Sequence, residues 1–155
     1  MTYIIGIDPG KTGALALLDE DGELLEVEDM PTLGKNVSAH LLADILRLWR
    51  FNYTATFTSV IEDVSSSPQM GVTSAFSFGR SKGVVEGAVA GAGFRIVYVT
   101  PAKWKRDMRL RKDKDAARDL ATKRWPTFSP MFKLAKHDGR AEAALIGLWQ
   151  VHHGE

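Results

Sequence analysis

The 155-residue sequence contains no cysteine. This absence excludes a disulfide framework and a thiolate metal site, so any metal must be bound by oxygen or imidazole nitrogen. No run of about 18 apolar residues occurs, and the N-terminal MTYIIGIDPG lacks the basic and apolar regions of a signal peptide. We therefore expect a soluble, cytoplasmic protein with no membrane partner. The length fits a single domain that spans residues 1–155.

Positive charge is scarce in the first part of the chain and concentrated later. Residues 1–64 contain 4 basic and 11 acidic side chains, whereas residues 95–124 contain 11 basic and 4 acidic ones. A basic segment of this kind is either a solvated helix face or a surface that binds polyphosphate. Composition alone leaves both interpretations open.

Apolar runs and turn signals predict an α/β protein. Three strands come first, over 3–8 and on both sides of the hairpin signal Glu20-Asp21-Gly22. Helices and strands then alternate: a helix over 38–50 behind the N-cap candidate Ser38, a strand in TFTSVIEDV, a helix over 70–92, a strand over 94–100, and helices over 112–124 and 139–152. This order predicts a mixed five-stranded sheet, antiparallel in its first three strands, with helices on both faces.

Two acidic residues end predicted buried strands. Asp8 follows the apolar YIIGI, and Glu62 follows Val60 and Ile61. A buried carboxylate needs a cation, a hydrogen-bond donor or a metal, whereas a carboxylate that caps a turn in solvent needs none. Either interpretation fits each acid alone.

Asp138 and Glu142 open the last predicted helix at a spacing of four residues, which places both side chains on one helix face. Alternatively, Asp138 is an N-cap and Glu142 an ordinary first-turn acid. If all four carboxylates converge, their repulsion requires divalent cations. The sequence then predicts a site for about two Mg²⁺ or Mn²⁺ ions, which clamp the attacking and leaving oxygens of a phosphoryl displacement.

These motifs resemble the RuvC family of Holliday-junction resolvases. IGIDPGKTGALALL is similar to the family's first strand and turn, VIEDV to its strand with the second acid, TSAFSFGRSKGVVEGAVAGAG to its long central helix, VTPAKWK to the following segment, and HDGRAEAALIG to its acidic last helix. The resemblance implies an RNase H-like fold, a homodimer, and divalent-metal-dependent cleavage of branched DNA. It also implies catalytic and metal-binding roles for Asp8, Glu62, Asp138 and Glu142.

The chain departs from the family pattern at several positions. The last two acids are four residues apart rather than three, so His137 competes with Glu142 as the side chain that completes the metal site. Ser65 stands where cellular members carry an aromatic residue, and either Met70, Phe76 or Phe78 replaces that residue or nothing does. The short, divergent form suggests a phage or mobile-element member that acts in a bacterial cell or a phage-infected host.

Glycine recurs every four residues along the predicted central helix, at Gly79, Gly83, Gly87 and Gly91. Each glycine costs about 1 kcal/mol relative to alanine in a helix, which suggests that another backbone approaches closely. That backbone belongs either to the chain's own sheet or, as the resemblance implies, to the same helix of a second subunit. A two-fold dimer suits a four-way junction, because its two sites would nick opposed strands.

The resemblance also favours a DNA-binding role for the basic segment, because its residues precede the acidic helix and would contact DNA phosphates. A second set of basic residues on the central helix would add further phosphate contacts. The predicted nucleic-acid-binding residues are Arg80, Lys82, Lys103, Lys105, Arg106, Arg109, Arg111, Lys112 and Lys114. Trp104 either stacks on a sugar or base or packs beneath the basic segment.

Two other functions fit part of the sequence. DPGKTG also resembles the first phosphate loop of the actin, hexokinase and Hsp70 superfamily, but one domain of this length cannot close two lobes around ATP. The second alternative is a noncatalytic RNase H-like DNA-binding protein, and the presence of all four acids argues against it.

Overall fold

The computed structural model describes residues 1–154. Within this range the chain forms seven strands and five α-helices. They are β1 (Thr2–Asp8), β2 (Ala14–Leu18), β3 (Leu24–Asp29), β4 (Thr32–Leu33), β5 (Asn36–Val37), α1 (Ala39–Asn52), β6 (Thr56–Glu62), α2 (Val72–Gly91), β7 (Arg95–Val99), α3 (Pro101–Asp107), α4 (Ala116–Arg124) and α5 (Asp138–His153). Two short 3-10 segments, Pro126–Phe132 and Ala135–His137, precede α5. Among these elements, no helix has both the length and the apolar character needed to cross a bilayer.

Five strands form one sheet in the order β3-β2-β1-β6-β7. Strands β1, β2 and β3 pair antiparallel, while β6 pairs parallel with both β1 and β7. The turn between β2 and β3 contains Gly22 at φ +82°, a left-handed conformation that glycine adopts without strain. The predicted mixed sheet, antiparallel in its first three strands, is therefore confirmed.

Helices cover both faces of the sheet, as predicted. Alternate residues of β1 belong to two apolar cores: Ile4 packs in the core that contains α5, and Ile5 and Ile7 pack in the core that contains α1 and α2. Successive side chains of a strand point to opposite faces. Asp8 therefore shares the α5 face with Ile4.

The last helix lies very close to the first strand. A Cβ atom at Gly6 would lie 2.0 Å from the carbonyl oxygen of Ala143 and 2.5 Å from the nitrogen of Gly147. Because backbone atoms occupy this space, Gly6 sets the separation of β1 and α5. Asp8 is two residues from Gly6, and Glu142 adjoins Ala143, so the same contact sets the distance between these two acids.

Helix α3 was not predicted, because Pro101 directly follows the strand predicted over 94–100 and proline commonly ends a strand. Proline is also favourable at the first position of a helix, where its missing N–H has no partner to lose. Thr100 caps this helix, its hydroxyl oxygen accepting a hydrogen bond of 3.3 Å from the N–H of Lys103. Thr100 as N-cap and Pro101 at the first helical position thus indicate a helix start that the sequence-based prediction missed.

Two other elements also differ from the prediction. The basic helix expected over 112–124 begins only at Ala116, after a turn in which the carbonyl oxygen of Asp113 accepts the N–H of Ala116. The β4–β5 hairpin was missed because each strand has only two residues. Its turn contains Gly34 at φ +63°.

Candidate active site

Asp8 and Glu62 lie side by side at the carboxyl end of the sheet. Ile7 and Ile61 are paired in the parallel register of β1 and β6, and each acid is the next residue of its strand. Glu62 shares its face with Val60, which belongs to the α5 core. Glu62 is only 5% exposed, and Asp8 is partly buried. Both carboxylates therefore face α5.

Helix α5 supplies the other two acids, Asp138 and Glu142. Its first turn packs directly on the turn after β1, where a Cβ atom at Gly139 would lie 2.4 Å from the carbonyl oxygen of Thr12. Glycine at this position allows the helix to approach the turn. Glu142, one helical turn further, is consequently held near Asp8.

The charges of three of these carboxylates act on one another. Burial, together with the negative charges of Glu62 and Glu142, raises the pKa of Asp8 to about 7. Burial also raises the pKa of Glu142, while Lys105 opposes the rise and Glu62 adds to it. Asp8, Glu62 and Glu142 therefore form one electrostatic group, which we call the acid cluster.

Helix α3 contacts two members of the acid cluster. Trp104 is fully buried, and its indole N–H donates a hydrogen bond of 2.7 Å to Oε2 of Glu62. Lys105 Nζ lies 3.5 Å from Oε1 of Glu142 and 5.5 Å from the centre of the Trp104 ring. Trp104 is thus packed beneath the basic segment, and its bond orients Glu62. Sequence reasoning missed this bond, which joins residues 42 positions apart.

Asp138 is held by Arg118 of α4. The Nε–H of Arg118 donates a hydrogen bond of 2.7 Å to Oδ1 of Asp138, and another guanidinium N–H donates one of 3.2 Å to the carbonyl oxygen of Lys133. The Arg118 side chain is only 13% exposed. Asp138 nevertheless lies near enough to the acid cluster to raise the pKa of Glu142. The sequence showed Arg118 as one basic residue among many, with no sign of this contact.

The donor set of the site fits a hard divalent cation. The four acids offer only carboxylate oxygens, which Mg²⁺ prefers. Burial and, after it, the negative charges of Glu62 and Glu142 raise the pKa of Asp8, and a cation would offset both effects. Within residues 1–154, no three acidic or histidine side chains already converge on one point. Lys105 and Arg118 pair with Glu142 and Asp138 instead. A bound cation would have to replace these two contacts.

His137 has different neighbours from the acid cluster. Its Nδ1 accepts a hydrogen bond of 3.1 Å from the N–H of Leu134, and its side chain lines a small pocket with Asp29 and Arg140. Burial lowers the pKa of His137, and the charge of Arg140 lowers it further. Glu142, rather than His137, is the residue that the structure brings to Asp8.

Five of the nine predicted DNA-binding residues form ion pairs. The pairs are Lys82 with Asp63, Lys103 and Arg106 with Asp107, Lys105 with Glu142, and Arg111 with Asp113 and Asp119. The other four are exposed and have no ion-pair partner among residues 1–154: Arg80, Arg109, Lys112 and Lys114. Among the nine predicted residues, these four have a positive charge that is available to bind a phosphate.

The basic segment adjoins the acids. Lys112 and Lys114 line an open groove of about 770 Å³ whose wall also contains Asp138 and Glu142. We call it the α3–α4 groove. Phosphate contacts in this groove would lie beside the acid cluster, as the sequence-based hypothesis requires.

The four glycines of α2 face away from the sheet. A Cβ atom at Gly79, Gly83, Gly87 or Gly91 would meet no atom within 4 Å, and α2 packs on the sheet through Ser81, Val85 and Val89 instead. The alternative in which these glycines pack on the chain's own sheet is therefore wrong. They form an exposed stripe of backbone, the glycine ridge, that another helix could approach closely.

No protein-family profile matches the chain. Over 67 residues, the chain is 36% identical to the chloroplastic Holliday junction resolvase MOC1 of Chlamydomonas reinhardtii. This match covers 42% of the chain but 8% of the relative, so the chain spans only a small part of that protein's length.

Solved structures match over almost the whole chain. Thermus thermophilus RuvC in complex with a Holliday junction substrate has a TM-score of 0.65 at 16% identity, covering 99% of this chain and 97% of that one. RuvC of the same organism in a second structure has a TM-score of 0.64 at 19% identity, with 98% and 96% covered. The yeast mitochondrial Holliday junction resolvase Ydc2 has a TM-score of 0.55 at 12% identity, with 97% and 81% covered. These likenesses confirm the RNase H-like fold and the resemblance to RuvC.

Proposed function

We propose that this chain is a divalent-metal-dependent endonuclease that cleaves branched DNA, four-way junctions above all, in recombination and repair. The observation that carries the proposal is the acid cluster, in which three elements bring Asp8, Glu62 and Glu142 together within a RuvC-type fold. The substrate class is taken from the relatives: MOC1 and Ydc2 are Holliday junction resolvases by name, and RuvC is in complex with a Holliday junction substrate. The proposed nuclease unit is a single domain over residues 1–155.

Mg²⁺ is the proposed cofactor, and Mn²⁺ should substitute because it prefers the same oxygen ligands. The acid cluster and Asp138 would hold the metal, which supplies charge neutralisation at the attacking and leaving oxygens of an in-line displacement. Trp104 orients Glu62 through its hydrogen bond. Lys105 and Arg118 balance the charges of Glu142 and Asp138.

The proposed active form is a homodimer that pairs through the glycine ridge. Exposed glycine on one helix face lets two backbones approach closely, and a two-fold axis there would present two equivalent sites to opposed strands of a junction. The exposed lysines of the α3–α4 groove would hold a DNA arm by phosphate contacts, which carry affinity without sequence information.

A supercoiled plasmid that extrudes a cruciform tests both activity and pairing. We expect linear product in Mg²⁺, because two symmetric nicks open both strands, and no product in EDTA. Glu62→Gln should leave the plasmid intact, whereas Gly83→Leu with Gly87→Leu should give mainly singly nicked circles. A protein that binds the junction but cuts nothing in Mg²⁺ or Mn²⁺ would be the noncatalytic alternative and would refute the proposal.

A further inference from the structure

A second open groove, separate from the α3–α4 groove, begins beside Asp8. It lies between the turn after β1, the β4–β5 hairpin and the start of α2, and its volume is about 490 Å³. Gly10 lines this groove, and the N–H of Gly10 points to Oδ1 of Asp8 at 3.5 Å. We call it the α2 groove. It meets the acid cluster at Gly10, two residues after Asp8, whereas the α3–α4 groove meets the cluster at Glu142.

Three cationic side chains, Lys11, Lys35 and Arg80, line the α2 groove. All three are exposed, no acidic residue lines the groove, and within residues 1–154 none of the three forms an ion pair. Lys11 and Lys35 are the only lysines or arginines of residues 1–46, a region rich in acids. A folding role would pair these lysines with nearby acids. Their gathering in an acid-free groove points instead to an anionic ligand.

The remaining lining of the groove suits a nucleic-acid strand. The hydroxyl side chains Thr73, Ser74 and Ser77 can donate hydrogen bonds to phosphate oxygens. Phe76 lies in the same wall and is 75% exposed, so it presents an aromatic face of the kind on which a base stacks. Cations, hydroxyls and one exposed aromatic ring together match the backbone and bases of DNA near a branch.

We propose that the α2 groove binds the DNA strand on one side of the cut, while the α3–α4 groove binds it on the other. This inference rests on the proposed function, and it adds Lys11 and Lys35 as phosphate-contacting residues. The acid cluster lies between the two grooves, so a strand held in both would cross it. Contacts on both sides of the cut place the scissile phosphate over the carboxylates despite their negative charge.

Neutral phosphates test this arrangement directly. Four-way junctions are made with one methylphosphonate on either side of the cleavage point, and their affinities are measured in EDTA, where no cutting occurs. Three proteins are compared: the wild type, Lys11→Ala with Lys35→Ala, and Lys112→Ala with Lys114→Ala. A control, Arg47→Ala with Arg95→Ala, removes two exposed charges that line neither groove. Arg95 begins β7 at the opposite end of the sheet.

We expect the Lys11→Ala, Lys35→Ala protein to lower the slope of log affinity against log salt by roughly 1.8, because each lost phosphate contact accounts for about 0.9. Methylphosphonates on one side of the cut should weaken DNA binding by the wild type but not by this variant. Methylphosphonates on the other side should weaken binding by the wild type and by this variant, but not by the Lys112→Ala, Lys114→Ala protein. The control should bind as the wild type does, and all variants should retain the wild-type melting temperature.

Two outcomes would overturn the inference. If the wild type cleaves junctions while the Lys11→Ala, Lys35→Ala protein binds them with unchanged affinity and slope, the α2 groove holds no DNA and the proposed function stands. If methylphosphonates on the two sides affect both lysine variants equally, the two grooves do not bind the strand on opposite sides of the cut. A wild type that neither binds nor cuts branched DNA would refute the proposed function itself.

Discussion

Replacing Asp8 by asparagine should stabilise the metal-free protein at pH 8. The pKa of Asp8 is raised from 3.8 to about 7, so the folded protein retains a proton that the unfolded chain releases near pH 4. The free energy of unfolding therefore falls as pH rises from about 4 to about 7. Above that range the contribution of the Asp8 proton is fully lost and the free energy of unfolding changes no further on its account. At about 1.4 kcal/mol per unit, this shift corresponds to roughly 4 kcal/mol. Asparagine has nearly the same shape and carries no charge.

Urea unfolding in EDTA between pH 4 and pH 8 measures this effect. We expect Asp8→Asn to exceed the wild type by about 1 to 4 kcal/mol at pH 8, and the advantage should shrink as pH falls toward 4. The control Asp21→Asn, which changes an exposed turn carboxylate, should differ little from the wild type. Mg²⁺ should raise the melting temperature of the wild type but not of Asp8→Asn. If Asp8→Asn were less stable than the wild type at pH 8 in EDTA, neither burial nor the neighbouring negative charges would penalise the ionised Asp8 carboxylate.

Three further predictions concern packing, assembly and DNA. Gly6→Ala should lower the free energy of unfolding by roughly 1–3 kcal/mol in urea titrations, because its methyl group meets backbone atoms of α5; an unchanged midpoint would mean that strand and helix separate freely. Gly83→Leu with Gly87→Leu should give a monomer in light scattering without loss of melting temperature, since both positions face open space and leucine is the better helix former; a persistent dimer would place the interface elsewhere. Lys112→Ala with Lys114→Ala should weaken binding to branched and linear DNA alike and flatten its salt dependence, whereas an unchanged slope would make the basic segment only a solvated face.

The sequence predicted the sheet and the positions of the acids because both depend on local patterns. A run such as YIIGID indicates a buried strand with an acid at its end, and the order of elements then determines which strands lie side by side. Asp8 and Glu62 could be placed together on this basis. Their electrostatic coupling with Glu142 could not be derived in the same way, since it depends on how closely Gly6 lets α5 approach.

The contacts that orient the acids were not predictable from local patterns. Trp104 donates to Glu62 across 42 residues, and Arg118 donates to Asp138 across 20. Nothing near either residue in the sequence marks its partner. The direction of the glycine ridge was equally undetermined, because a stripe of glycine fits close packing on a sheet as well as on another helix. Burial of Val85 on the opposite side of α2 decides between them.

Cleavage of one synthetic four-way junction tests the central claim most directly, provided that binding is measured on the same protein samples. In Mg²⁺ the wild type should cut two opposed strands at symmetric positions, and EDTA should abolish cutting. Asp8→Asn and Glu62→Gln should bind the junction with near wild-type affinity and cut it at least a hundredfold more slowly, roughly the 3 kcal/mol expected when a charge-stabilising group is lost. Full cleavage by either variant, or cleavage that persists in EDTA, would contradict the assignment of the acid cluster as the metal-dependent active site.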